Sequence, residues 1–286
     1  MNISDLPKEL IENFEKKFGA LFIGAGLSIG AGLPSWPGLL NELIKLADKT
    51  DFIPEERINE YKKLEKDPSK YLFLAEELKY ELGRRFNDYF EETFGSQNFE
   101  PTYNHELIAK TDLSLVITIN YDDLIERAFT KVRMNYPNSF TYSEARLAAN
   151  NFWKEKFFIL KAHGDAKKDV ESLILSQKDY RKVFYREPGY RSLIQAIFTT
   201  KSIVFLGVSF ADPEFNQLLD YLHDSFHGGG PTHYLLIEES KMMNSMSRRF
   251  LEDFNIQTIT FKNDNGNYEE ITSFLEILQS AVPFTG

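Results

Sequence analysis

His163 stands in the segment LKAHGD, directly behind an apolar run and ahead of a glycine. A neutral imidazole in that setting can accept a proton from a ribose hydroxyl or from a water, because its ordinary pKa lies near about 6.5. Upstream, TINYDDLIE presents Asn120 and Asp122 where another apolar run breaks. Either residue can face a ligand or cap the helix that follows. Two more runs break into glycine and serine: Gly24-Ala25-Gly26 with Ser28, and Gly207-Val208-Ser209. Gly24 and Gly26 have no side chain to block a pyrophosphate approaching main-chain N–H groups, and Ser28 adds a hydroxyl donor.

These residues need elements that bring them to one place. Six runs read as strands, at about 21–23, 115–119, 157–160, 203–206, 234–237 and 256–260. Helical patterns alternate with them at about 36–48, 122–132, 177–185, 191–200, 213–224, 245–254 and 268–279. A first helix, capped by Ser4 or Asp5, carries Leu6, Leu10, Ile11, Phe14 and Phe18 at helical spacing. Between 51 and 110 strand patterns vanish and charged helical ones replace them, which reads as a helical insertion after the first βα unit. The fold expected is a six-stranded parallel Rossmann-like α/β sheet with helices on both faces, in one domain spanning 1–286. In such a sheet ligands bind beyond the carboxyl ends of the strands. All four polar breaks then fall on one rim, with Asp212 capping the helix that begins at Pro213.

Several classes are excluded. The dinucleotide fingerprint G-x-G-x-x-G fails because its third glycine would fall on Ile29, and no acidic residue ends a second strand some 20 residues on. An ordinary dehydrogenase is therefore not expected. The net charge of −10 opposes direct nucleic-acid binding, which needs a positive surface. No run of about 18 apolar residues suggests a membrane span, and the amino terminus lacks a signal pattern, so a cytoplasmic location is expected. The chain has no cysteine, which removes thiolate zinc sites. His223 and His227 share the i, i+4 spacing of zinc-binding helices, but they run into three glycines without a third ligand, so no metal site is expected. No serine nucleophile elbow, Walker loop or kinase signature occurs.

The glycine spacing resembles the opening motif of the sirtuins, G-A-G-x-S-x-x-x-G-I-P, matched by Gly24, Ala25, Gly26, Ser28, Gly32 and Pro34 with Leu33 in place of isoleucine. Thr118, Asn120 and Asp122 are similar to the family's T-Q-N-I-D-G segment, and the departures at Ile119 and Tyr121 resemble its prokaryotic branch. His163-Gly164 falls where a sirtuin has its catalytic histidine, and Gly207 and Ser209 where residues approach the adenosine half of NAD. From about Leu21 to Leu219 the four motifs keep the family's order.

The resemblance implies that NAD is a substrate whose nicotinamide–ribose bond is cleaved. It implies that residues 24–28 hold the pyrophosphate, Asp122 orients nicotinamide, Asn120 places ribose or water, and His163 assists proton removal. Thr118 and Pro34 belong to the same cofactor-binding set. Trp36 either lids the ribose or packs the start of its helix. Deacylating sirtuins carry a four-cysteine zinc module, which this chain cannot build, and Ser35-Trp36-Pro37-Gly38 replaces their D-F-R-G. The expectation is accordingly a zinc-free NAD hydrolase of the anti-phage defence branch, acting by NAD depletion. A non-catalytic sensor of NAD or a derived nucleotide, and a deacylase without its zinc module, are the alternatives. Control by self-association into a homo-oligomer or by a partner is expected, a ring-forming ATPase being one such regulatory partner.

Overall fold

The computed structural model describes residues 6–208, 219 and 230–285. Its strands are β1 (Gly19–Ile23), β2 (Val116–Thr118), β3 (Ser139–Thr141), β4 (Ile159–Lys161), β5 (Ser202–Leu206), β6 (His233–Glu238) and β7 (Ile256–Phe261). They form one sheet in the order β3-β4-β2-β1-β5-β6-β7, and every pairing is parallel. The parallel α/β class is the expected one, with seven strands among the described residues in place of six. The addition, β3, is three residues long, half-buried and at the sheet edge. Such a strand leaves no apolar run or alternation to read.

The helices are α1 (Lys8–Glu15), α2 (Gly26–Ile29), α3 (Trp36–Asp48), α4 (Glu55–Leu64), α5 (Tyr71–Leu82), α6 (Arg84–Phe90), α7 (Tyr103–Lys110), α8 (Leu124–Arg133), α9 (Ala145–Trp153), α10 (Gln177–Arg186), α11 (Pro188–Thr200), α12 (Asn244–Phe254) and α13 (Glu269–Ala281). Two helices are unforeseen: α2, a single turn of four residues inside the expected glycine loop, and α9, which buries only Ala145, Ala148 and Phe152 and so shows a thin apolar stripe. Ser4 and Asp5, expected to cap the first helix, lie outside the described residues, and α1 starts behind Pro7. Also outside them are Ser209, Asp212, the helix expected at 213–224 apart from Leu219, His223 and His227. No helix among the described residues is long and apolar enough to cross a membrane.

Alternation along the strands builds two cores. In β1, Leu21 and Ile23 face one side with Val116, Ile159, Val204 and Leu206, covered by Phe14 of α1, Ile108 of α7, Phe129 of α8 and Phe274 of α13. Ala20 and Phe22 face the other side with Ile117, Leu160 and Phe205, covered by Phe152 of α9, Ile197 of α11 and Phe250 of α12. Each fully buried side chain of this size contributes roughly 1.5–3 kcal/mol. All five residues of β1 are buried, as expected for a central strand sandwiched between helices.

A third core joins α3 to α6. Leu40, Leu43 and Ala47 meet Leu74, Leu78, Phe86 and Phe90, and the cluster reaches Leu124, Leu173 and Leu175 beyond the strand ends. Phe86, Phe90 and Phe94 stack in series, with ring centroids 4.5 and 5.2 Å apart. Phe90 and Phe94 meet the Tyr121 ring edge-on at 5.5 and 5.6 Å. This helical layer therefore covers the carboxyl-terminal rim of the sheet. Within the stretch expected as an insertion, α7 differs: its Leu107, Ile108 and Ala109 pack on the sheet core.

Candidate functional site

β1 delivers residues 24–28 to the rim, where they meet the loop after β5. Gly24 N–H donates to Leu206 O and Gly26 N–H to Gly207 O, both at 2.9 Å. A Cβ on Gly24 would lie 2.6 Å from Gly207 O, and one on Gly26 would lie 2.8 Å from Gly207 Cα. Gly207 itself adopts a φ of +65°. The contact between the two loops is thus what demands glycine at these three positions. The chain then turns through α2 to Ser35, whose hydroxyl accepts from Gly38 N–H at 3.2 Å and caps α3. Trp36 is half-buried against Tyr71, ring centroids 6.3 Å apart, and also lines the cleft below the helical layer. The two roles foreseen for it are compatible.

The loop after β2 is more heavily braced. Thr118 Oγ1 donates to Ile23 O and accepts from Asn120 N–H, each at 3.1 Å. Asn120 Nδ2 donates to Gly24 O at 3.2 Å and to Ser28 Oγ at 2.9 Å. The carbonyl at Gly24 fixes the amide orientation, since only the nitrogen can donate to it. Asn120 Oδ1 is then a buried acceptor without a partner among the described residues, a state that calls for a water or a ligand group. Asp122 is buried, and its Oδ1 accepts from Leu124 N–H at 3.1 Å at the start of α8.

Beneath this loop lies Lys161, the last residue of β4 and fully buried. Its Nζ donates to Asp122 O at 2.6 Å and Tyr121 O at 3.4 Å. Asp165 Oδ2 stands 3.2 Å away and Glu126 Oε1 3.6 Å away. Burial works against the ammonium, but Glu126, Asp165 and Asp122 outweigh it and hold its pKa above the ordinary lysine value. Burial pushes the Glu126 carboxyl up, against the pull of Lys161. His105 of α7 is buried nearby: Nδ1 accepts from Thr102 N–H at 3.2 Å, while Nε2 has no partner among the described residues. Burial pushes its pKa down to about 4, with the charge of Asp122 opposing.

His163 follows β4. Its main-chain O accepts from Ile174 N–H at 3.0 Å. The Tyr180 hydroxyl lies 3.2 Å from its Nε2 and 3.5 Å from its Nδ1. Asn120, Asp122 and His163 thus border one cleft with Ala25, Ser28, Pro34, Trp36, Phe94, Tyr121 and Tyr180. Gly24, Gly26, Thr118 and Gly207 do not border it and act from behind. Among the described residues no cluster of His, Asp and Glu is arranged for a metal ion.

Sequence reasoning missed Lys161, Glu126, Asp165 and Tyr180. One signal was available for the first: a lysine at the end of an apolar run, in FFILKAHG, is anomalous in a strand buried on both faces. Tyr180 carries none, because its helical spacing fits packing alone.

Comparison with known proteins places the chain in a family. A model described as SIR2-like domain matches residues 114–259, about half of the chain, and the chain belongs to that family. The match includes Asn120, Asp122, His163, Tyr180 and Gly207 and leaves the 24–28 loop outside. A relative from Enterococcus faecium named NAD(+) hydrolase ThsA is 29% identical over 278 residues, covering 95% of this chain and 52% of the relative. A Bacillus subtilis protein named Defense-associated sirtuin 2 is 28% identical over 232 residues, covering 79% of this chain and 22% of its own length. The chain therefore spans about half, or less, of the length of these relatives. A solved Sir2 homologue in complex with ADP-ribose is similar over 96% of this chain and 98% of its own, at 12% identity and a TM-score of 0.49.

Proposed function

We propose that the cleft at the ends of β1, β2 and β4 is an NAD glycohydrolase site, converting NAD and water to ADP-ribose and nicotinamide. The observation that carries it is the pairing on one cleft of His163 and Asn120, whose buried Oδ1 has no partner among the described residues. A relative named for NAD hydrolysis that aligns with 95% of the chain supports the same reaction. Breaking the nicotinamide–ribose bond sends its electron pair to the ring nitrogen and builds positive charge on the ribose. The negative end of a fixed amide dipole favours that charge, and a ribose hydroxyl or the attacking water can donate to it. His163 accepts the proton lost by the water. Asp122 uses Oδ1 on Leu124 N–H, which leaves Oδ2 for the nicotinamide carboxamide. With Gly24 and Gly26 N–H groups bonded to the β5 loop, Ala25 and Ser28 are the members of the glycine loop left to face the diphosphate.

In this reading the protein is a cytoplasmic defence effector that depletes NAD under control of self-association or a partner, and 1–286 acts as one NAD-binding unit under its helical layer. The relative named as defence-associated supports that setting.

Purified protein incubated with NAD and no peptide, across its oligomeric states, tests the reading. Nicotinamide and ADP-ribose are expected from the wild type. Asn120→Ala and His163→Ala are each expected to slow turnover by about 10²-fold or more. Binding without turnover would make the chain a sensor, and turnover only with an acyl-lysine peptide would make it a deacylase. Full activity in both variants would remove these residues from the site.

A further inference from the structure

Two tyrosines border the cleft beside His163, and their hydroxyls are used differently. That of Tyr121 donates to Ile174 O at 2.7 Å and holds a main-chain segment in place. The hydroxyl of Tyr180 lies against the imidazole, 3.2 Å from Nε2 and 3.5 Å from Nδ1 with the ring planes 79° apart, so it braces the ring from above instead of lining up with one nitrogen. Its own position is fixed. Ser176 and Asp179 form a reciprocal capping box at the start of α10, and Tyr180 N–H donates to Ser176 O at 3.1 Å. Asp179 is tied to Lys79 of α5 by a 3.2 Å ion pair, and the Tyr180 ring packs on the cluster of Tyr142, Ile174 and Val183. A phenol held this way has little rotamer freedom, and its hydroxyl can donate and accept at once.

We propose that Tyr180 is a positioning residue that acts through His163, holding the imidazole where it takes the attacking water's proton and so directing the reaction toward hydrolysis. This rests on the NAD hydrolase reading. The C1′–N bond breaks with its electron pair passing to nicotinamide, and the water oxygen bonds to C1′. One water proton moves to an imidazole nitrogen of His163, whose ring the Tyr180 hydroxyl keeps in place. The sum is NAD⁺ and water to ADP-ribose, nicotinamide and one proton held on His163. Recapture of nicotinamide at C1′ needs no such proton transfer, so hydrolysis and nicotinamide exchange depend differently on Tyr180.

The test compares wild type with Tyr180→Phe, which keeps the ring, and with Tyr185→Phe, on the same helix but 74% exposed. Hydrolysis is followed as ADP-ribose, and exchange as incorporation of labelled nicotinamide into NAD. In Tyr180→Phe hydrolysis should fall by about 10–100-fold while exchange falls by less than about threefold, with Tyr185→Phe unchanged in both. Equal losses in hydrolysis and exchange, or no loss, would overturn the proposal. The histidine NMR titration of His163 supplies a readout independent of turnover. Its midpoint should move by roughly half a unit in Tyr180→Phe, and an unmoved midpoint overturns the coupling. Absence of nicotinamide release from wild type would instead strike the hydrolase reading, with the titration still deciding whether the pair is coupled.

Discussion

The loops after β1 and β2 lie side by side on the rim, and they use their polar groups in opposite ways. The glycine loop turns two N–H groups onto Leu206 and Gly207, and its missing side chains make room for the Gly207 backbone. The Asn120 loop holds a buried acceptor without a partner among the described residues and rests on a fully buried charge cluster around Lys161. A glycine signature that resembles a ligand loop can thus be used largely for packing. In the proposed reading the chemistry falls instead to the loop for which the fold buries charge, at the desolvation cost such burial carries.

Substituting Lys161 should break the contrast most severely. In Lys161→Met the apolar stem is preserved, but Glu126 and Asp165 lose their buried cation and the Tyr121 and Asp122 carbonyls lose their donor. A loss of about 3–5 kcal/mol in denaturant unfolding is expected, partly regained with Glu126→Gln. A cost under about 1 kcal/mol would mean that this cluster does not brace the loop.

Acid should attack the same side of the rim. His105 is held neutral in the fold, pushed down to about 4 by burial, whereas the unfolded chain takes up its proton near about 6.5. Its contribution is therefore full above pH ~6.5 and is lost as pH falls from ~6.5 toward ~4, amounting to roughly 3 kcal/mol. His233, also pushed down to about 4 by burial, adds a loss of the same sign. Thermal melts at pH 7 and pH 4.5 should differ less in His105→Gln than in wild type, because glutamine suits the same capping position. Identical pH slopes in the two proteins would remove His105 from the account. The glycine loop itself, Gly24-Ala25-Gly26-Leu27-Ser28, contains no titratable group.

The smallest expected effect concerns that loop. Gly24→Ala forces a methyl group against Gly207 O and should cost about 1–3 kcal/mol. The folded fraction should keep nicotinamide release within a few-fold of wild type. An unchanged melting temperature with a raised KM for NAD would reverse the comparison and make this loop the ligand contact.

The alternation of buried runs with helical patterns was enough to read a parallel α/β sheet and to bring Gly24, Asn120, His163 and Gly207 to one rim. Runs buried on both faces signal a central parallel sheet through composition alone, and its handed connections leave few topologies. Short edge elements escaped. β3 and α9 bury too little to show a period, since a strand paired on one side or a helix facing the core with two alanines needs few apolar residues.

Sequence by itself determined the fold class, the rim and which strand ends carry polar residues, because these follow from local period and from abrupt changes in composition. Only the tertiary structure decided what those residues touch. It set Tyr180 against His163 across 17 positions and Lys161 against the Asp122 carbonyl across 39. It also packed Gly207 into the space left by Gly24 and Gly26. Helical and strand periods report which face of an element is buried. They carry no information on which distant group meets it there, and that is fixed only when the whole core closes.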